Sequence, residues 1–121
     1  MNWKKIETKY PKAFDKFFIW FKGDPEAAMT KKEFLEVNDI IVMHGDIREL
    51  YDFFDEQGIY ISMWIWYVDD DGKGTDIPVF KPSIGGMGID MLYPDGYKIR
   101  KEAEEVSFLK AFETLENQLN K

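Results

Sequence analysis

The chain has 121 residues, 32% charged and 17% aromatic, with a net charge of −7 and no cysteine. That length suits one domain with a core that needs no staples. The missing cysteine excludes a disulfide framework, a thiolate zinc site and a cysteine nucleophile, and the negative charge opposes nonspecific nucleic-acid binding.

The charge is unevenly placed. Residues 1–23 carry six lysines against Glu7 and Asp15, a net of +4, while the remainder carries ten Lys and Arg against 21 Asp and Glu, a net of −11. No stretch reaches the ~18–20 uncharged apolar residues of a membrane span. The opening MNWKKIETKYPK has no apolar segment of the kind a secretory signal needs. A cytoplasmic protein is expected, and with no internal repeat or linker, a single domain over 1–121.

YPKAFDKFFIWFKG predicts a helix. Pro11 suits a first turn, where its missing N–H costs nothing, and Phe14, Phe17, Phe18 and Phe21 recur at i, i+3, i+4 and i+7. Lys12 and Lys16 fall on the opposite face and Gly23 ends the segment. With Trp3 and Ile6 upstream, lysines opposite aromatics have the look of an interfacial helix. Pro11 interrupts that pattern, so docking on the chain's own core is expected.

TKKEFLEV (30–37) predicts a short helix with Thr30 and Glu33 as a capping box, and IIVM (40–43) a short strand. GDIRELYDFFDEQG reads most clearly as a helix. Asp46 is its N-cap, Ile47, Leu50, Tyr51 and Phe54 form its apolar face, and Gly58 stands where a C-terminal glycine belongs.

GIYISMWIWYVDDDGKGTD (58–76) follows. Its first part is strand-like, so its side chains divide between two faces. Ile59, Ile61, Met63, Ile65 and Tyr67 form one face, expected to meet the helices. Tyr60, Ser62, Trp64, Trp66 and Val68 form the other. Both faces are apolar, which an open sheet with one wet side does not explain, so the second face calls for a cover. Burial within the chain, a protein interface (most simply a homodimer) and a small-molecule or polymer site all remain open. Tyr60, Trp64 and Trp66 are the candidate binding residues, because Tyr and Trp bury large area and keep one polar handle.

Asp71-Gly72 and Gly74 signal a turn, and TDIPVF (75–80) returns as a short strand, an edge or a bulged one because Pro78 cannot donate to a ladder. KPSIGGMG (81–88) reads as a mobile connection, IDMLY (89–93) as a third strand and PDG (94–96) as a turn. IRKEAEEVSFLKAFETLENQL (99–119) predicts a long closing helix with a stripe of Phe108, Ala111, Phe112, Leu115 and Leu119. The summed pattern is α+β: a small antiparallel meander of three to four strands with N- and C-terminal helices on one face.

The catalytic signals are weak. An EF-hand frame with Gly72 at the invariant glycine puts Asp69 and Asp71 at ligand offsets but Tyr67 first and Pro78 last, both wrong for calcium. His44 is the only histidine and has no second histidine to complete a metal site, and Asp46 beside it is better explained as a cap. SIGGMG (83–88) is followed by neither Lys-Ser/Thr nor a helix, so it is not a phosphate loop. The groups Asp52, Asp55, Glu56 and Glu102, Glu104, Glu105 are expected to be solvated helix faces. No catalytic residue, metal site or cofactor is expected. Single-stranded nucleic acid, which aromatics near lysines would suit, is opposed by Asp69–Asp71 at the end of the aromatic strand.

KYPKAF (9–14), LYDFFDEQGIYIS (50–62) and EAEEVSFLKAFETLE (102–116) together resemble a group of small uncharacterised proteins found among phage and mobile-element genes. The resemblance implies an accessory role in such a context and carries no activity or site residue with it. The expectation is a non-enzymatic interaction module with a protein partner or a second copy. The alternatives are an acidic inhibitor or decoy of a basic nucleic-acid-binding protein, and a small-molecule-binding domain that uses the tryptophans.

Overall fold

A computed structural model describes residues 3–22, 30, 48–69, 76–86, 89–92 and 96–121. The expected helix over 30–37 beyond Thr30, the strand over 40–43, His44, Asp46, the turn at Asp71-Gly72 and Gly74, and the turn over 94–96 but for Gly96 lie outside the described residues. The fold is α+β. Four helices are described: α1 (Trp3–Lys9), α2 (Pro11–Lys22), α3 (Arg48–Glu56) and α4 (Arg100–Leu119). The strands β1 (Tyr60–Asp69), β2 (Asp76–Gly86) and β3 (Ile89–Leu92) pair antiparallel in that order.

The N-terminal helix pair follows from the phenylalanine spacing. Pro11 breaks the segment into α1 and α2, yet Tyr10 and Phe14 donate to the carbonyls of Ile6 and Tyr10 at 2.7 and 2.8 Å, so the axis nearly continues across the break. Trp3, Ile6, Phe14, Phe17 and Phe18 are buried while Lys12 and Lys16 are exposed. The aromatic face docks on the chain's own core.

The core itself is mostly rings. Trp3 stacks on Phe17 at 5.1 Å, and Phe17 meets Phe53 and Phe112 edge-on. Phe54 meets Phe112 edge-on at 4.9 Å, and Tyr51 meets Phe108 in the same way. Edge-to-face pairs of this kind add about 0.5–1.5 kcal/mol beyond the area they bury. The predicted stripe of α4 is buried through Leu115. Phe53, beyond the predicted apolar face of α3, is buried too.

Three polar contacts tie the helices together. Glu116 of α4 accepts the backbone N–H groups of Lys12 and Ala13, at 3.3 and 2.7 Å, so a side chain from the last helix caps the first turn of α2. Tyr51 donates to Glu104 at 2.8 Å, and the Trp20 indole donates to Glu56. Glu104 and Glu116 are therefore buried, which corrects the expectation of a solvated face for Glu104. Glu102 is exposed and Glu105 half-buried.

α3 ends in a Schellman motif: Gly58 and Ile59 donate to the carbonyls of Asp55 and Phe54, at 3.0 and 2.9 Å, with Gly58 at φ 78°. That turn feeds the chain directly into β1. It also presents the Gly58 carbonyl to Gly86, at φ 94°, where any Cβ would run into that oxygen. Gly86 is thus fixed by close backbone approach.

One expectation for β2 is corrected. The strand does not stop at Phe80; it runs through KPSIGG to Gly86, because Ser83–Gly86 pair on both sides, with β1 and β3. Its first part is an edge, as Pro78 suggests: among the described residues Asp76–Pro82 have β1 as their only strand neighbour, apart from the Phe80–Tyr97 bridge, and the register with β1 carries no bulge from Tyr60↔Gly85 to Asp69↔Asp76. Its prolines survive by parity. Phe80 exchanges both backbone hydrogen bonds with Tyr97, at 2.7 and 2.9 Å, so even-numbered β2 residues aim their backbone away from β1. Pro78 and Pro82 share that parity and remove nothing from the β1–β2 ladder.

Candidate interaction surface

Among the described residues, helices back the sheet on the face of Ile61 and Ile84, and only over part of its length. Ile59 and Ile84 are in the core, Pro82 is buried, and Ile61 and Met63 are half-buried. α4 lies against β2 and β1, and α3 against β1. Beyond Met63 the cover ends. Tyr60, Trp64, Ile65, Trp66, Tyr67 and Val68 are 56, 55, 53, 48, 68 and 38% exposed.

The expectation for the aliphatic face is thereby corrected. It does not meet the described helices along its whole length, because Ile65 and Tyr67 lie past their end. Among the described residues, no helix covers Tyr60, Trp64 and Trp66 on the other face. From Trp64 to Val68 the β1–β2 pair is an arm whose β1 side chains are more than a third exposed on both faces. The three predicted residues share one face, by strand alternation. Ile65 and Tyr67 were missed as site residues because their alternation with aliphatic neighbours assigned them to the core.

On the outer face, Trp66 pairs across from Val79 and Trp64 from Lys81. The Lys81 ammonium sits 5.0 Å from the Trp66 ring centre, a contact of about 0.5–1 kcal/mol at exposed sites. Val79 is the buried exception on this face. Gly96 lies against it so closely that a Cβ there would meet the valine at 2.8 Å.

β1 also has a bare edge. Since Phe80 bonds to Tyr97, its β1 partner Ile65 occupies a non-hydrogen-bonded position toward β2. By alternation the N–H and C=O groups of Ile61, Met63, Ile65 and Tyr67 point away from β2. Among the described residues β1 has no other strand neighbour, and Tyr60–Val68 contains no charge and no proline to blunt that edge.

Titration shifts lie elsewhere. Burial, then the hydrogen bond to Glu104 and its charge, pushes the Tyr51 phenol far above its ordinary value of 10.0, and burial raises Tyr10. Among the described residues no group of three His, Cys, Asp or Glu side chains could hold a metal ion, and no helix is long and apolar enough to cross a membrane. No protein-family model matches the chain, nor does any curated protein or solved structure.

Proposed function

We propose that the chain is a non-enzymatic protein-interaction module: a small antiparallel meander, backed by helices, whose β1–β2 arm is the contact surface. One observation carries the reading. Six large apolar side chains of one strand, Tyr60 and Trp64 through Val68, are each more than a third exposed. Half of four aromatic side chains, at roughly 150–250 Å² each, is already ~300–500 Å². Spread over the two faces of one strand, that matches the largest apolar patch of an ordinary monomer, which is often functional. An accessory role in a mobile-element setting is compatible with such a module.

The test separates stability from association. Trp64→Ala together with Trp66→Ala is expected to change unfolding free energy by no more than about 1 kcal/mol per site, far below a core truncation. The same pair is expected to abolish crosslinking to partner protein, or to a second copy, in the source cells. Loss of folding, or unchanged crosslinking, would assign the tryptophans a different role.

A second reading has one observation behind it: Glu49, Asp52, Asp55 and Glu56 are all exposed along α3. An acidic decoy for a basic protein would use such a face, and its binding would weaken steeply with salt.

A further inference from the structure

Resting on the arm as an interaction surface, we propose that its partner is a second copy of this chain, joined by antiparallel pairing of β1 with β1 across a two-fold axis near Ile65. The bare edge is the first reason. Ile61, Met63, Ile65 and Tyr67 present backbone donors and acceptors in a run that is uncharged and free of proline, which is a template for strand addition.

The second reason is the split character of β1. Among the described residues, one half, Ile59 to Met63, is backed by helices, and the other, Trp64 to Val68, is more than a third exposed at every position. An antiparallel two-fold sets the bare half of each copy beside the backed half of the other. Ile65 and Tyr67 then adjoin the margin of the partner's helical layer, which accounts for their exposure in the single chain. Stacking the outer sheet faces would leave both uncovered.

Charge selects the direction and the register. In-register parallel pairing would set Asp69 of the two copies side by side at the end of β1. Antiparallel pairing centred on Ile65 sends them to opposite ends, with Asp69 facing the partner's Ile61. In that register Trp64 faces the partner's Trp66 and Met63 faces the partner's Tyr67, so every pair from 62 to 68 is uncharged.

The exposed aromatics of the arm amount to roughly 300–500 Å² per copy, on the order of 600–1,000 Å² in all, which places the pairing between a weak interface and the ~1,000 Å² of a specific one. Two chains of net charge −7 repel at long range, but that repulsion is screened beyond about 8 Å at physiological salt. Added salt should therefore tighten the dimer, opposite to what an acidic decoy shows with a basic partner.

Light scattering of the full chain is expected to give twice its 14.3 kDa mass at high concentration. Ile65→Pro removes an outward donor without touching the β1–β2 ladder. By symmetry it deletes two hydrogen bonds, so it should raise the dimer dissociation constant about thirtyfold. Ile65→Ala, which keeps the donor, should raise it less. Because the natural chain has no cysteine, Ile65→Cys provides a readout that does not depend on the proline variant folding. Mild oxidation should crosslink Ile65→Cys to itself and leave Ile61→Cys uncrosslinked.

A wild type that stays monomeric at every concentration overturns the second copy and leaves the arm to its own crosslinking test. A dimer that survives Ile65→Pro but dissolves with Trp64→Ala and Trp66→Ala overturns edge pairing and keeps the arm. A dimer indifferent to all of these substitutions overturns both.

Discussion

The helical body and the β1–β2 arm contain the same kinds of side chain and treat them oppositely. In the body, Phe17, Phe53, Phe54 and Phe112 pack ring against ring with no exposed surface to speak of. In the arm, Trp64, Trp66 and Tyr67 keep about half or more of theirs. Composition therefore does not separate core from surface here. What separates them is whether a second layer reaches that point along the strand.

The contrast can be broken from the body first. Phe112→Ala removes a ring shared by Trp3, Phe17 and Phe54, and is expected to cost about 3–5 kcal/mol in chemical denaturation. An effect below about 1 kcal/mol would mean the ring cluster is not the core. Gly86→Ala comes next. It must either displace the Gly58 carbonyl or leave its left-handed backbone conformation, and should cost about 1–3 kcal/mol. A neutral result would deny the close approach of the two backbones. Glu116→Ala uncaps α2 and should cost about 0.5–2 kcal/mol, with amide exchange accelerated at Lys12 and Ala13. Unchanged exchange there would remove the cap.

The alkaline limb tests the body more gently. Tyr51 is held neutral in the fold and ionises more easily once unfolded, so its contribution is complete below pH 10.0 and lost as pH rises above that. Tyr10 shifts the same way. The unfolding free energy of the wild type should fall above pH 10, and Tyr51→Phe should flatten that fall. Equal slopes would mean the phenol is solvated. In the arm, Trp66→Ala should have the smallest effect on stability, about 0.5–1 kcal/mol from the lost Lys81 contact, detected as a slightly moved denaturation midpoint. A cost near that of Phe112→Ala would make the arm part of the core.

Much of the fold was legible because spacing reports burial where a helix has one dry side. Phe14, Phe17 and Phe18, and Phe108, Ala111, Phe112 and Leu115, landed where their period placed them. Gly58 was legible as a helix terminator because few residues tolerate its backbone angle. The candidate site was legible only in part. Alternation gave Tyr60, Trp64 and Trp66 a common face, but it could not say where along β1 the helices stop, so Ile65 and Tyr67 went to the wrong side of the ledger. Hydrogen-bond parity was equally hidden. Pro78 reads as the mark of an edge or a bulge, and only the position of Tyr97 shows which way its missing donor would have pointed. Glu104 and Glu116 look like ordinary surface acids because their partners, Tyr51 and the start of α2, are far away in the chain.

The Glu116 cap has a consequence for biosynthesis. The carboxylate that completes the start of α2 is made 103 residues after Ala13. At roughly 5–20 residues per second, a ribosome takes about 5–20 s to supply it. For most of that interval the nascent phenylalanine helices lack both their cap and the ring surface of Phe108 and Phe112, so α2 completes its contacts only once the last helix has been made.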